Sequence, residues 1–78
     1  MKDLVLYLAK SLVNHPDKVE VKEIQGDTSA IIELRVAKED LGRIIGKQGR
    51  TAKSLRTIIN AAASRSNRKI VLEIVEEQ

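Results

Sequence analysis

The amino-acid pattern predicts an α+β fold, a two-layer sandwich in which a three-stranded sheet carries three helices on one face in the order α-β-β-α-α-β. Three observations lead there. Three segments repeat apolar residues at helical spacing, and three strand-length segments carry alternating apolar residues. Pro16, Gly26-Asp27, Gly46 to Gly49 and Ser66-Asn67 fall between them as punctuation. Strands in such an order, with helices packed on one side, make two layers around one core. The 78 residues leave room for one domain, 1–78. A chain this short buries only about 60% of the surface its unfolded form exposes, so the core is marginal. With no cysteine, aliphatic side chains must supply the cohesion; there is no Phe or Trp, and Tyr7 is the only aromatic.

The first helix is expected over residues 3–13. Val5, Leu8, Ala9 and Leu12 share a face, Asp3 suits the positive end of the helix dipole, and Tyr7 is expected to pack. Pro16 biases His15 towards extended backbone and ends the helix by Asn14. Residues 18–24 read as a strand on the alternation of Val19 and Val21; Ile24 breaks that parity, which points to a bulge or a strand end. After the Gly26-Asp27 turn, residues 29–36 alternate cleanly, with Ala30, Ile32, Leu34 and Val36 on one face and Glu33 and Arg35 on the other. The two strands are close enough to form an antiparallel hairpin. A short helix follows over 38–45, with Glu39 and Asp40 in its first turn and Leu41, Ile44 and Ile45 on one face. A longer helix over 50–65 has Ala52, Leu55, Ile59 and Ala62 as its stripe. Residues 69–75 close the fold as a strand with Ile70, Leu72 and Ile74 on one face.

Charge is segregated. From Leu41 to Leu72 there is no Asp or Glu, while Arg43, Lys47, Arg50, Lys53, Arg56, Arg65, Arg68 and Lys69 lie within. These are eight of the chain's fourteen basic residues; the other six share the rest with all eleven acidic ones. Such segregation is the footprint of a polyanion partner, although a merely solvated basic helix would look similar. The composition argues against other classes. No Cys is present, His15 stands alone beside a proline as a surface turn residue, and metal-ligand spacing is absent, so an enzyme or a metal or cofactor site is not expected. No apolar run reaches the roughly 18 residues of a membrane span, and Leu4 to Ala9 is too short for a signal-peptide core. The expectation is a cytoplasmic protein with no membrane or small-molecule partner.

Between the two later helices lies Ile45-Gly46-Lys47-Gln48-Gly49-Arg50. Two glycines allow positive φ and close approach of another backbone. The helix that starts at once presents free N–H groups and the positive end of its dipole, and Lys47 and Arg50 add formal charge. The segment suits a sugar-phosphate backbone. A bare G-x-x-G is weak evidence, since roughly one chain in three of this length would contain one by chance, and a plain helix-to-helix turn also uses glycine. Its place between amphipathic helices, after a β-β unit and inside the acid-free stretch, raises its weight. A nucleotide P-loop is excluded: Gly42 to Gly46 is one residue too short, Gln48 stands where Ser or Thr is needed, and a helix precedes the loop.

The run Leu41-Gly42-Arg43-Ile44-Ile45-Gly46-Lys47-Gln48-Gly49-Arg50 resembles the signature of a KH domain, whose GXXG loop clamps about four nucleotides. The element order is similar to the type II KH arrangement, and size and layout resemble the KhpA family of small bacterial KH proteins over the whole chain. That resemblance implies single-stranded RNA binding, RNA-chaperone activity, a homodimer, pairing with a larger KH protein (KhpB, also called Jag or EloR), and roles in cell length and peptidoglycan homeostasis. By position, Gly46, Lys47, Gln48 and Gly49 form the clamp. Gly42, Arg43, Ile45, Arg50 and Lys53 complete the RNA-facing set, and 64–69 is a short variable loop on the far rim. Ile44 and Ile45 are both expected in the core, the alternative being that one lines the groove floor. The lack of aromatics argues against an RRM or cold-shock domain, which stack bases on exposed rings. The rival reading is a KH-fold protein-interaction adaptor with little RNA binding; Lys47 and Gln48 in the loop argue against it.

Self-association is expected through the long helix. On a wheel centred on Leu55, Ala52, Ile59 and Ala62 fall within about 60°, and Ile58 lies about 60° to the other side. Ile58 at that edge packs within the domain or projects into a partner, and Leu6 and Val13 fall off the main apolar face of the first helix. The family resemblance favours a dimer whose interface includes Ile58, Ile59 and Ala62.

Overall fold

A computed structural model describes residues 1–76, so the last two positions of the expected 1–78 domain lie outside the described residues. Helix α1 (Lys2–Leu12) begins one residue early and ends in extended backbone at Val13. Pro16 does more than stop it. Its fixed φ starts a 3-10 turn, Pro16–Lys18, which delays strand β1 to Glu20–Gln25. Strand β2 (Ser29–Val36) occupies the expected residues. The expected helix over 38–45 divides into a 3-10 turn, Lys38–Asp40, and helix α2 (Leu41–Ile45). Helix α3 (Arg50–Ala63) tightens into a last 3-10 turn, Ser64–Ser66, before strand β3 (Lys69–Glu76).

The sheet is mixed, in the order β1-β2-β3, with β1 antiparallel and β3 parallel to the central β2. The α+β class, the element order and the hairpin are as the pattern predicted. Ala30, Ile32, Leu34 and Val36 point under the helices and are buried with Val5, Ala9, Ile44, Leu55, Ile59, Ala63, Ile70 and Leu72 in one core. Directly paired residues share a face of the sheet. Pairing Glu20 to Arg35 through Gln25 to Ala30 is continuous, so Ile24 marks no bulge. It pairs with Ile31, which pairs with Val71, and the three make a β-branched row across the outer face.

Several apolar residues sit elsewhere than expected. Ala63 rather than Ala62 completes the buried stripe of α3. Ile59 is 1% exposed, which removes it from the expected interface, while Ile58 is 45% exposed. Tyr7 is 70% exposed and does not pack, and Leu12 lies at the surface. Leu6 and Val13, off the first helix's main apolar face, pack against the core. Leu8, Leu12, Leu55 and Ile58 line a shallow groove of about 230 Å³ between α1 and α3.

Candidate nucleic-acid interface

Helix α2 is brought to an end by Gly46, whose N–H donates to the Gly42 carbonyl at 2.8 Å while its backbone turns to φ 77°, ψ 174°. Two constraints meet at this position. The left-handed φ disfavours any side chain, and a Cβ would fall 2.7 Å from Thr51 Cβ and 2.8 Å from the Thr51 nitrogen. The chain then makes one tight turn, closed by the Gly49 N–H on the Gly46 carbonyl at 3.2 Å. Gln48 (φ 57°, ψ 26°) and Gly49 (φ 75°, ψ 13°) are both left-handed. A non-glycine residue in this region costs about 1–2 kcal/mol, so Gln48 stores strain in the middle of the loop.

Gly49 occupies the N-cap of α3 and offers no side chain, so no side chain caps the helix, and its first turn holds no acidic residue. The Arg50 N–H is taken up within the turn by the Lys47 carbonyl, and no acidic side chain offsets the positive end of the α3 dipole beside the loop. Lys47, Gln48, Arg50 and Lys53 are exposed around that end, and among the described residues none of their side chains makes an ion pair or hydrogen bond. Gly42 is exposed with open space where a Cβ would be. The structure separates the two isoleucines that were both expected in the core: Ile44 is buried and Ile45 is 38% exposed.

Not all of the basic block belongs to this cluster. Arg68 spans to the β1–β2 turn, donating to Gln25 Oε1 and the Gly26 carbonyl at 3.1 Å each. The segment 64–69 lies at the opposite end of the 14-residue α3, about 21 Å from the loop along the helix. Arg56 Nη2 leans on the Leu72 carbonyl of β3 at 3.5 Å.

Asp40 was expected to favour the start of a helix through its charge. It is 1% exposed, and its carboxylate instead accepts from the backbone N–H of Asn14 (Oδ1, 3.1 Å) and His15 (Oδ2, 2.9 Å), pinning the end of α1 to the start of α2. Burial works to raise its pKa. The two amides, with the His15 and Arg43 charges, outweigh that and hold the carboxyl below the ordinary carboxylate range. His15 Nε2 lies 3.7 Å from Glu39 Oε2 at the surface. Arg43, exposed on α2, directs Nε and Nη2 at one terminal atom of the Asn14 amide, 3.2 Å each; two donors require an acceptor there, which assigns that atom as the side-chain oxygen. Among the described residues, no cluster of His, Asp and Glu is arranged to hold a metal, and no helix is long and apolar enough to cross a membrane.

The sequence model of the "KhpA/KhpB, KH domain" family matches residues 2–74. The chain belongs to the KhpA/KhpB KH-domain family. Proteins named RNA-binding protein KhpA align along their whole lengths: 55% identity to that of Clostridium acetobutylicum over 96% of this chain, 51% to that of Chlamydia caviae over all of it, and 49% to that of Listeria monocytogenes over 97%. No solved structure gives a significant match. The segment Gly46 to Gly49, between α2 and α3, lies within the matched residues.

Proposed function

We propose that the chain binds single-stranded RNA, clamping the sugar-phosphate backbone in the Gly46-Lys47-Gln48-Gly49 loop. One observation carries this reading: two successive left-handed residues open the N-terminus of α3 with no capping side chain and no acid in its first turn, inside the acid-free stretch. Its relatives' names, RNA-binding protein KhpA, support it. Lys47, Arg50 and Lys53 supply charge for phosphate, and Arg43, Gly42 and exposed Ile45 border the loop on the α2 side. Binding by this device is modest, backbone-directed and non-specific. With three or four basic groups on phosphate, the slope of log K against log salt is about −2 to −3 for a single strand. A titration of an oligouridylate at several salt concentrations tests this. A slope near zero, or a preference for duplex, refutes the reading.

Further properties rest on family resemblance and belong to the same proposal: a single KH unit over 1–78, a cytoplasmic location, RNA-chaperone activity, pairing with a larger KhpB-type KH protein, and an influence on cell length and peptidoglycan. A homodimer has a local observation in its favour, because Ile58 stands exposed at the rim of the apolar α1–α3 groove, with Ala62 half-buried one turn on. The alternative, a protein-interaction adaptor with little RNA affinity, fits that groove but leaves the strained, exposed and basic loop without a purpose.

A further inference from the structure

Arg43 differs from the other basic residues near the loop because it is held. Its Nε and Nη2 converge on the Asn14 side-chain oxygen at 3.2 Å, whereas Lys47, Arg50 and Lys53 have no side-chain tether among the described residues. Asn14 is itself fixed, since its N–H and that of His15 each donate to an oxygen of buried Asp40. A chain of contacts thus runs from the Asp40 carboxylate through the Asn14 backbone and amide oxygen to the Arg43 guanidinium, three residues before Gly46. The acceptor is a neutral amide, which orients the guanidinium without neutralising it. Both Asp40 oxygens are occupied by backbone amides. The contact uses Nε and Nη2, and Nη1 of this exposed residue remains available to a phosphate oxygen. A flexible arginine loses rotamer freedom when it meets phosphate; one already held loses less.

We infer that Asn14 is a positioning residue for RNA binding, holding Arg43 beside the loop so that its guanidinium meets a backbone phosphate. This rests on the RNA-binding reading above. The competing account is that the Asn14–Arg43 contact only fastens the end of α1 to α2.

The test is a double-mutant cycle of wild type, Asn14→Leu, Arg43→Gln and the double variant, titrated with a fluorescein-labelled oligouridylate at several salt concentrations, with urea unfolding measured on each. Asn14 is exposed, so the fold should survive; Asn14→Ala takes the place of the leucine variant if it does not. The expected results are a loss of about 2- to 10-fold in affinity for Asn14→Leu and a salt slope shallower by about 0.7 for Arg43→Gln. In the Arg43→Gln background, Asn14→Leu should have almost no effect on affinity. Unchanged affinity and slope in Arg43→Gln, or an Asn14 effect that persists without Arg43, overturns the inference. Lys47→Asp with Gln48→Asp separates the two levels. If that loop variant loses binding while Asn14 and Arg43 prove uncoupled, only the positioning role fails; if it binds as wild type does, the RNA-binding reading fails first.

Discussion

At the scale of single residues, the three glycines around the loop make different demands, and their alanine variants should rank accordingly. Gly42 lies in α2 with open space around it, so Gly42→Ala gains helix propensity and should stabilise by up to about 1 kcal/mol. Gly49→Ala meets no neighbour but must hold φ near 75°, a cost of about 1–2 kcal/mol. Gly46→Ala adds a collision with Thr51 to the same backbone cost and should be the most damaging. Urea unfolding of the three variants checks the order, and equal losses would contradict this account of Gly46. The glycines were legible in the sequence because their spacing is a pattern. The strained Gln48 backbone and the fit of Thr51 against Gly46 were not, since neither residue type advertises a conformation or a neighbour. Ile44 and Ile45 illustrate the same limit. Helical periodicity put both on one apolar face, but α2 is only five residues long and its end turns away from the core, leaving one of the two exposed.

Elements were read best where the alternation was strict. β2 came out residue for residue because four apolar side chains alternate with polar or half-buried ones along a central strand. The start of β1 was misplaced because the Pro16 turn borrows Val19 for the core before the strand begins. Asp40 was the element-level feature least visible in advance: its partners are backbone amides 25 and 26 residues away, and backbone donors leave no trace in composition. Its lowered pKa has a definite consequence. A carboxyl whose folded pKa lies below its unfolded value of about 3.9 contributes stability that is complete above that value and is lost as pH falls through the folded pKa. Asp40→Asn should therefore be less stable than wild type at neutral pH, and the gap should narrow as pH drops below about 4. Urea unfolding across pH reads this directly; a gap independent of pH would show that the charge is not what the two amides require. Ile44 anchors α2 from the other side, and Ile44→Ala should cost about 2–5 kcal/mol.

For the molecule as a whole, sequence pattern gave the class and order of elements, and the parallel placement of β3 follows once α2 and α3 return the chain across the sheet. What pattern alone misjudged was the boundary between inside and outside on α3. A wheel puts Ile59 within the stripe and Ile58 at its edge, about 100° away, and leaves open which way that edge packs; on the sheet Ile59 is buried and Ile58 exposed. That difference sharpens the self-association prediction. Ile58→Asp should give a folded monomer, seen as a halved mass by light scattering, because the side chain is already at the surface and a two-fold contact would bring it near its own mate. A wild type that is monomeric at high micromolar concentration would remove the dimer from the account. The central claim is that the loop grips RNA, and the most direct test replaces Lys47 and Gln48 together with Asp. Both side chains are exposed, so the fold should persist by circular dichroism and urea unfolding. Two negative charges then face phosphate at the start of α3, and affinity for a single-stranded oligouridylate should fall by at least about tenfold. A folded double variant that binds RNA as tightly as wild type would contradict the claim.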